Sequence, residues 1–229
     1  MGYSNRHRTF LQAISNQCAM EVPAARELLK DINKHYGIEP DHASDLDLFI
    51  SEINDKIAQL DQRIKRVKHE IVNKEFVVFV NTIEDEINMK QTFYTEMDRE
   101  YFRLLLQEIT LNEYSIQRIV ALNLIAQLKP KPFSKNHAEE LLDDWITLGY
   151  FLEEENLLYF GPKTLGEFSD FLAENFEDYV KKCQLCLAAV LMGTKCDKCE
   201  KFFHRECLRR ALAKALNCPA CKQPWDKPV

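Results

Sequence analysis

The sequence predicts a mostly α-helical protein with small β-hairpins, built as two similar helical domains followed by a small cysteine-rich module. Three observations predict this fold class. Amphipathic helices followed by a pair of short strands occur twice before residue 180. Seven of the eight cysteines lie after residue 182. Net charge changes there too, from −13 over residues 1–180 (19 Lys/Arg, 32 Asp/Glu) to +7 over 181–229 (11 and 4).

These changes predict three domains, at residues 1–95, 96–180 and 181–229. No apolar run approaches the roughly 18 residues that a membrane-spanning helix needs. The N-terminus has no apolar segment typical of a secretory signal, so we expect a soluble intracellular protein. In a reducing compartment, clustered cysteines favour a metal site over disulfides.

The first domain begins with three predicted helices. Cys18 follows the apolar positions of the first helix at helical spacing, so we expect it to be a buried small side chain. Pro23 suits the start of the second helix and Gly37 its end, while Ser44 is the predicted cap of the third. The apolar positions at helical spacing are Phe10, Leu11 and Ile14; Leu28, Leu29, Ile32 and Tyr36; and Phe49, Ile53, Ile57 and Leu60.

Two predicted strands complete the first domain. Residues 63–72 intersperse apolar and polar side chains, and residues 76–80 are valines and phenylalanines, so both segments are predicted to be strands. Residues 73–74 join them. Three helices and a β-hairpin are the parts of a winged helix. The sequence therefore predicts a winged-helix domain.

The second domain repeats these parts without residue-level identity. Residues 98–111 form the first predicted helix, and Ser115 is the expected cap of the second. Residues 129–132 (Lys-Pro-Lys-Pro) end the second helix, Ser134 starts the third and Gly149 ends it.

A second hairpin and a final helix follow. Strands are predicted at 150–152 and 157–160, on either side of a Glu-Glu-Glu-Asn turn. A helix over 164–179 is expected to lead into the cysteine-rich module. Residues 1–180 are therefore expected to form two winged helices in tandem.

Winged helices often bind DNA through the third helix, but the charges here disfavour that role. A surface that faces phosphates needs positive charge, whereas the third helix of the second domain is acidic. The first hairpin is basic, although such a run is more often a solvated strand. The acidic positions are Glu139, Glu140, Asp143 and Asp144 against Lys135, and the basic ones are Arg63, Lys65, Arg66, Lys68 and Lys74. We expect a protein-docking scaffold, with direct DNA contact as a minor alternative.

The module after residue 182 contains four pairs of metal-ligating residues, each with two residues between its members. The pairs are Cys183 and Cys186, Cys196 and Cys199, His204 and Cys207, and Cys218 and Cys221. Eight such ligands are enough for two tetrahedral zinc sites. Neighbouring pairs could share an ion, or alternate pairs could. Alternate pairing would cross-link the whole segment, which is too short for an unaided core.

The ligand order resembles that of the cross-brace zinc modules of C4HC3 type, a class that includes RING fingers and the histone-reading plant homeodomain fingers. Pro219 gives the Cys-Pro-x-Cys last pair of a RING, with Trp225 just beyond it and a helix-prone stretch at 208–217. Leu216 stands where histone readers usually carry an aromatic residue. The RING interpretation is favoured, with the histone reader as the alternative.

The RING resemblance implies alternate pairing of the ligands. Zinc 1 would be held by Cys183, Cys186, His204 and Cys207, and zinc 2 by Cys196, Cys199, Cys218 and Cys221. It also implies catalysis by positioning, without a nucleophile, of a ubiquitin-charged conjugating enzyme. The matching docking positions are Leu185, Pro219 and Lys222. Lys222 replaces an arginine of strong ligases, and Ala211 replaces a bulky aromatic, so weak, partner-dependent activity is expected.

Over its whole length the sequence resembles the family of RING-finger subunits called non-SMC element one, from the structural-maintenance-of-chromosomes five/six complex. The resemblance lies in the zinc-ligand pattern, Arg-Thr-Phe-Leu-Gln at 8–12 and Arg-Ile-Val-Ala-Leu at 118–122. It implies a nuclear, chromosome-associated ubiquitin ligase in DNA repair and recombination. Its implied partners are a MAGE-type winged-helix subunit, a kleisin and a conjugating enzyme. The alternative is a non-catalytic, zinc-stapled subunit that only holds the complex together.

Overall fold

A computed structural model describes residues 3–38, 45–82, 94–129 and 133–227. The chain divides into two compact units. The first contains Met1–His69 and Asn73–Glu167, and the second contains Glu70–Val72 and Phe168–Val229. The three-domain division of the sequence stays a prediction. In the described part of the chain, no helix combines the length and the apolar character needed to cross a membrane.

The N-terminal half of the first unit is a winged helix, as predicted. Its sheet has the strand order β1-β3-β2, with all pairs antiparallel. Pro23 lies in the first turn of the second helix, and the Asp45 side chain caps the third by accepting from the Asp47 backbone. The elements are α1 (Asn5–Gln17), β1 (Ala19–Glu21), α2 (Val22–His35), α3 (Leu46–Ile57), β2 (Gln62–His69) and β3 (Lys74–Asn81).

An apolar core packs the three helices against β2 and β3. It includes the fully buried rings of Phe10 and Phe49, which meet edge to face at 5.5 Å. The ring of His7 stacks on Phe49 at 4.2 Å and is 0% exposed. Its two nitrogens contact the Ser4 backbone N–H and the Glu52 carboxylate, so this buried polar ring is satisfied. Cys18 is buried at the end of α1, as predicted.

The C-terminal half of the first unit is a second winged helix. Its sheet has the order β4-β6-β5, and an aromatic cluster of Tyr101, Phe102, Trp145 and Phe151 fills its core. A capping box between Thr95 and Asp98 starts the first helix. The elements are α4 (Glu96–Leu111), β4 (Ser115–Gln117), α5 (Arg118–Asn123), α6 (Lys135–Thr147), β5 (Phe151–Glu154), β6 (Leu157–Phe160) and α7 (Pro162–Glu167).

The two winged helices pack together within the first unit. Helix α7 lies against β2 and β3, where Gly166 leaves so little room that an added Cβ would be 3.0 Å from Val80 Cγ1. The buried ring of His69 contacts the Phe160 carbonyl oxygen at 2.6 Å. The Asn81 backbone N–H donates to Glu167 at 3.0 Å. The tandem is therefore one packed body.

Several predictions in the first unit were wrong in detail. The strand predicted over 63–72 ends at His69, because residues 70–73 form the turn. Helix α3 passes into a 3-10 turn after Ile57, which turns Leu60 away from the core and leaves it exposed. Tyr36 is likewise exposed at the end of α2. The predicted cap Ser44 lies outside the described residues, and Asp45 caps the helix.

Two further predictions need correction. Ser115 does not cap a helix: it starts β4, which pairs with β6, and Gln117 precedes α5. The helix predicted over 164–179 is two helices, α7 and α8 (Ser169–Asn175), separated at Phe168. The apolar spacing continues across this break, so the sequence pattern does not reveal it. Of the predicted break at 129–132, residues 130–132 lie outside the described residues.

The second unit contains α8 and the cysteine-rich module, whose strands are very short. Its two-stranded sheets pair β7 with β8 and β9 with β10. The predicted helix at 208–217 is observed earlier, as α9, because His204 starts it. The elements are β7 (Lys181–Lys182), β8 (Ala189–Val190), β9 (Thr194–Lys195), β10 (Phe202–Phe203) and α9 (Arg205–Leu212). The fold class predicted from the sequence is confirmed.

Candidate metal centre

Three of the four ligand pairs lie on tight turns of the same geometry. The residue after the second cysteine has a left-handed backbone in each: Leu187 (φ 64°), Glu200 (φ 58°) and Lys222 (φ 63°). Its N–H donates to the carbonyl of the first cysteine of the pair, at 2.8, 2.8 and 2.9 Å. This turn brings both thiols of a pair to the same side of the chain, as a zinc knuckle requires.

The remaining pair lies at the start of a helix instead. His204 is the N-cap of α9, and Cys207 follows in the first turn. The Nε2 atom of His204 lies 2.8 Å from the Ala189 carbonyl oxygen, to which it donates its proton. This contact turns Nδ1 toward the thiols, and hydrogen bonds of this kind orient metal-ligating histidines in proteins.

The structure brings the pairs together alternately. The ligand atoms of Cys183, Cys186, His204 and Cys207 form one cluster, and those of Cys196, Cys199, Cys218 and Cys221 form another. Within each cluster the atoms lie within 4.8 Å of one another. The described residues contain no other group of three or more such side chains. This is the grouping that the RING resemblance implies.

The spacings within the clusters fit a tetrahedral ion. Zinc–sulfur bonds of about 2.3 Å place two sulfurs of a tetrahedron about 3.8 Å apart. Sulfur separations in the all-cysteine cluster are 3.8 Å for Cys199 and Cys218, and 4.0 Å for Cys196 and Cys221. In the other cluster, Nδ1 of His204 is 3.2 Å from the Cys186 sulfur and 3.9 Å from the Cys207 sulfur. Both donor sets can hold a metal ion of zinc size.

The environment of the histidine cluster affects its protonation. Burial lowers the pKa of His204, but its hydrogen bond to Cys186 and the charge of Glu70 raise it, to about 9 overall. The hydrogen bond from His204 lowers the pKa of Cys186 to about 7. Burial raises the pKa of Cys207 to about 12. A metal must therefore displace protons from this cluster to bind.

Glu70 is a residue of this unit that the sequence pattern does not reveal. Its carboxylate accepts hydrogen bonds from the backbone N–H groups of Leu191, at 2.7 Å, and Met192, at 3.0 Å. The loop that follows β8 is thus held by a residue that precedes the two loop residues by 121 and 122 positions in the chain. A lone acidic residue in a hairpin turn carries no signal of such a contact.

The apolar core around the clusters is small. Val190, Phe203 and Leu208 are its buried non-cysteine members, and Trp225 packs against it, edge to face with Phe203. Three ligands, Cys183, Cys196 and Cys218, are themselves among its buried residues. So few apolar side chains cannot hold a module of this length without further support, and metal ligation is the support that the cysteines offer.

The predicted docking residues lie on the knuckles. Leu185 is 43% exposed. Pro219 is partly buried and Lys222 is exposed, with its ammonium group donating to the Pro219 carbonyl at 2.9 Å. Leu187, which was not predicted as a docking residue, is 65% exposed on the first knuckle. Its left-handed backbone turns the side chain out, and an apolar residue directly after a C-x2-C pair is the signal that could have revealed it.

The basic hairpin of the first unit is engaged in contacts within the chain. Arg66 forms ion pairs with Asp47 at 2.8 Å and Glu75 at 2.6 Å. Lys74 pairs with Glu21 at 2.8 Å, and Lys65 donates to the Gly166 carbonyl at 2.9 Å. These contacts favour the interpretation of this run as a solvated strand.

Comparison with known proteins identifies similar chains. The family model described as the Nse1 non-SMC component of the SMC5-6 complex matches residues 7–155. The Non-structural maintenance of chromosomes element 1 homolog of Drosophila melanogaster is 29% identical over 225 residues, covering 97% of this chain and 96% of that protein. The Homo sapiens homolog is 26% identical over 228 residues, with 97% and 85% coverage.

A solved structure has the same fold. The chain aligns with one from the structure titled Nse1-Nse3-Nse4 complex, with a TM-score of 0.77 and 23% sequence identity. The alignment covers 100% of both chains. The fold is thus shared over both the winged helices and the cysteine-rich module.

Proposed function

The chain belongs to the family of the Nse1 non-SMC component of the SMC5-6 complex, and we propose that it is the RING-type E3 ubiquitin ligase subunit of such a complex. The observation that carries the proposal is the alternate grouping of the eight ligands, together with the exposed leucine on the first knuckle. Alternate grouping distinguishes the cross-brace of RING fingers from zinc modules in which neighbouring pairs share an ion.

The metal in this proposal is zinc, with one ion in each cluster. Cys183, Cys186, His204 and Cys207 would hold zinc 1, and Cys196, Cys199, Cys218 and Cys221 would hold zinc 2. Zinc supplies cross-links at these positions and takes no part in the transfer itself. The protein residues fix the distance between the two knuckles that present the docking side chains.

Ubiquitin transfer requires this chain to position two other proteins. A conjugating enzyme would dock on Leu185, Leu187 and Pro219, which present apolar surface on the knuckles. Holding the charged enzyme in one reactive pose accelerates attack on its thioester without any nucleophile from the RING. Lys222 would approach ubiquitin as a single point charge, which binds less specifically than a guanidinium fork.

The partners that we propose are a MAGE-type winged-helix subunit and a kleisin. The structure that shares this fold is titled as a complex with Nse3 and Nse4. The first unit offers the docking scaffold, because its two winged helices form one packed body and the third helix of the second is acidic. Such a complex implies a location in the nucleus, on chromosomes, and a role in DNA repair and recombination.

One observation favours the alternative, a non-catalytic subunit that only holds the complex together. The Lys222 ammonium group is bound to the carbonyl of Pro219 in its own knuckle. In that arrangement the side chain caps the turn and does not extend toward a second protein. A structural role needs the zinc clusters but not the exposed leucine.

Discharge of ubiquitin from a charged conjugating enzyme separates the two functions. The rate is measured with the purified protein, alone and with the MAGE-type partner. Leu185→Ala should lower the rate severalfold while zinc content stays unchanged, and Lys222→Arg should raise it. Leu216→Ala is the matched control, since Leu216 is 77% exposed and lies on neither of the knuckles at 183–187 and 218–222. Background discharge in all variants with the partner present would establish the structural role instead.

A further inference from the structure

A groove on the second unit has features that ubiquitin transfer does not use. It has a volume of about 560 Å³ and lies along β7, β9 and β10. This volume is in the range of about 300–1,000 Å³ that is typical of ligand sites. Four lysines line the groove, against the single carboxylate of Glu200. They are Lys181, Lys182, Lys195 and Lys201.

Among the residues that the structure describes, carboxylates pair with only two of these lysines. Lys182 pairs with Asp170 at 2.8 Å, and Lys195 pairs with Glu200 at 2.9 Å. The ammonium group of Lys181 contacts a backbone carbonyl, that of Glu177, which leaves its charge uncompensated. Lys201 is exposed and forms no ion pair with any described residue. The groove therefore attracts anions.

An aromatic side chain lies among these cations. Neighbouring residues of a strand point to opposite faces, and the two phenylalanines of β10 illustrate this. Phe203 is fully buried in the module core, whereas Phe202 is only partly buried and lines the groove. The core does not need Phe202, so its ring is available to a ligand.

We propose that this groove binds single-stranded nucleic acid, with phosphates at Lys181 and Lys201 and a base stacked on Phe202. Sites for single strands combine lysines that follow the backbone with aromatic rings that stack on bases. The carboxylates of an acidic peptide would use the lysines but would not stack on the ring. Duplex recognition would instead require a helix or a longer two-stranded ribbon that fits a DNA groove, whereas β9 and β10 have only two residues each.

Fluorescence anisotropy with labelled oligothymidylate of about 12 nucleotides tests the proposal on the full-length, zinc-loaded protein. Lys181→Gln with Lys201→Gln should weaken binding about tenfold at low salt. The steepness with which log K falls as log salt concentration rises should also decrease by about 1.4, because each phosphate contact to a single strand contributes about 0.7 to that slope. Phe202→Leu should weaken binding about fivefold and leave the slope unchanged, since stacking releases no counterions. Zinc content is measured for each variant to verify folding.

The matched control is Lys56→Gln with Lys214→Gln, which removes the same charge from exposed positions outside the groove. It should leave affinity within about twofold of the parent. Equal weakening by the control and the groove variant would show binding by net charge alone and would overturn the proposal. So would absence of binding. Displacement of the oligonucleotide by a polyglutamate of equal charge, with no effect of Phe202→Leu, would assign the groove to acidic peptides.

Discussion

The two units of this protein reach a stable fold by different means. The first buries thirteen apolar residues in the core of its first winged helix alone, including the rings of Phe10 and Phe49, which meet edge to face. The second has three buried apolar residues besides its cysteines in the cross-brace core. The difference indicates that the short segment needs the cross-links that bound metal would supply, and it predicts that the units respond differently to the same perturbation.

Removal of metal should have the largest effect, and only on the second unit. Structural zinc contributes about 10–16 kcal/mol to the folding of small domains. Strong chelation should therefore unfold the module over 183–221, while the helices of the first unit persist. Hydrogen exchange with mass spectrometry measures both at once. Uniform loss of protection from hydrogen exchange across the first unit would contradict the expectation that only the second unit depends on metal.

Truncation of a core ring should destabilise the first unit and leave zinc binding by the second unit unchanged. Phe49 is 0% exposed and contacts the rings of His7 and Phe10. Phe49→Ala should lower the free energy of unfolding by about 3–5 kcal/mol. The measurement is urea unfolding followed by circular dichroism, with zinc content determined in parallel. The control Leu48→Ala, at an exposed position on the same helix, should change stability by less than about 0.5 kcal/mol.

The packing of the two winged helices on each other can be tested at Gly166. An added Cβ would lie 3.0 Å from Val80 Cγ1 and 3.4 Å from Val67 Cγ2. Gly166→Val should therefore destabilise the first unit by about 1–3 kcal/mol through overpacking. Gly166→Ala should cost less, because the gain in helix propensity of up to about 1 kcal/mol offsets the contact. Equal thermal stability of the parent protein, Gly166→Val and Gly166→Ala would show that the two winged helices are not tightly packed at this contact.

The smallest expected effect concerns the cap of a single helix. The Thr95 hydroxyl accepts from the Asp98 backbone N–H at 3.2 Å, and the Asp98 carboxylate accepts from the Thr95 backbone at 2.8 Å. Thr95→Ala should lower the stability of the first unit by about 1 kcal/mol and leave zinc binding unchanged. Thr95→Ser retains the hydroxyl and should restore most of the loss in the same denaturant titration.

Sequence reasoning was most successful where a pattern is local. Helical spacing revealed α1, α2, α4 and α6. It failed where tertiary pairing decides: β1 and β4 are three residues each, too short for any period, and they form because β3 and β6 offer open edges. The predicted cap at Ser115 was wrong for this reason. The break at Phe168 was hidden because apolar residues on both sides keep the helical period.

In the ligand clusters, too, the local pattern was predictable from the sequence but the tertiary arrangement was not. The spacing of the pairs predicted eight ligands but not how they combine, and the alternate grouping came from the resemblance to cross-brace modules. Leu187 was missed because no weight was given to an apolar residue directly after a C-x2-C pair, where the left-handed backbone of the knuckle turns the side chain out. Glu70 and the Ala189 carbonyl were missed because they reach the module through folding, with no motif of their own.

We propose that alternate pairs share an ion, which cysteine alkylation in a ligand-deletion variant can verify. His204→Ala with Cys207→Ala removes the third pair from the cluster that it forms with Cys183 and Cys186. Native mass spectrometry of this variant should detect one bound zinc instead of two, and Cys183 and Cys186 should become reactive while the cysteines of the other cluster stay protected. Reaction at Cys196 and Cys199, with Cys183 and Cys186 protected, would contradict it.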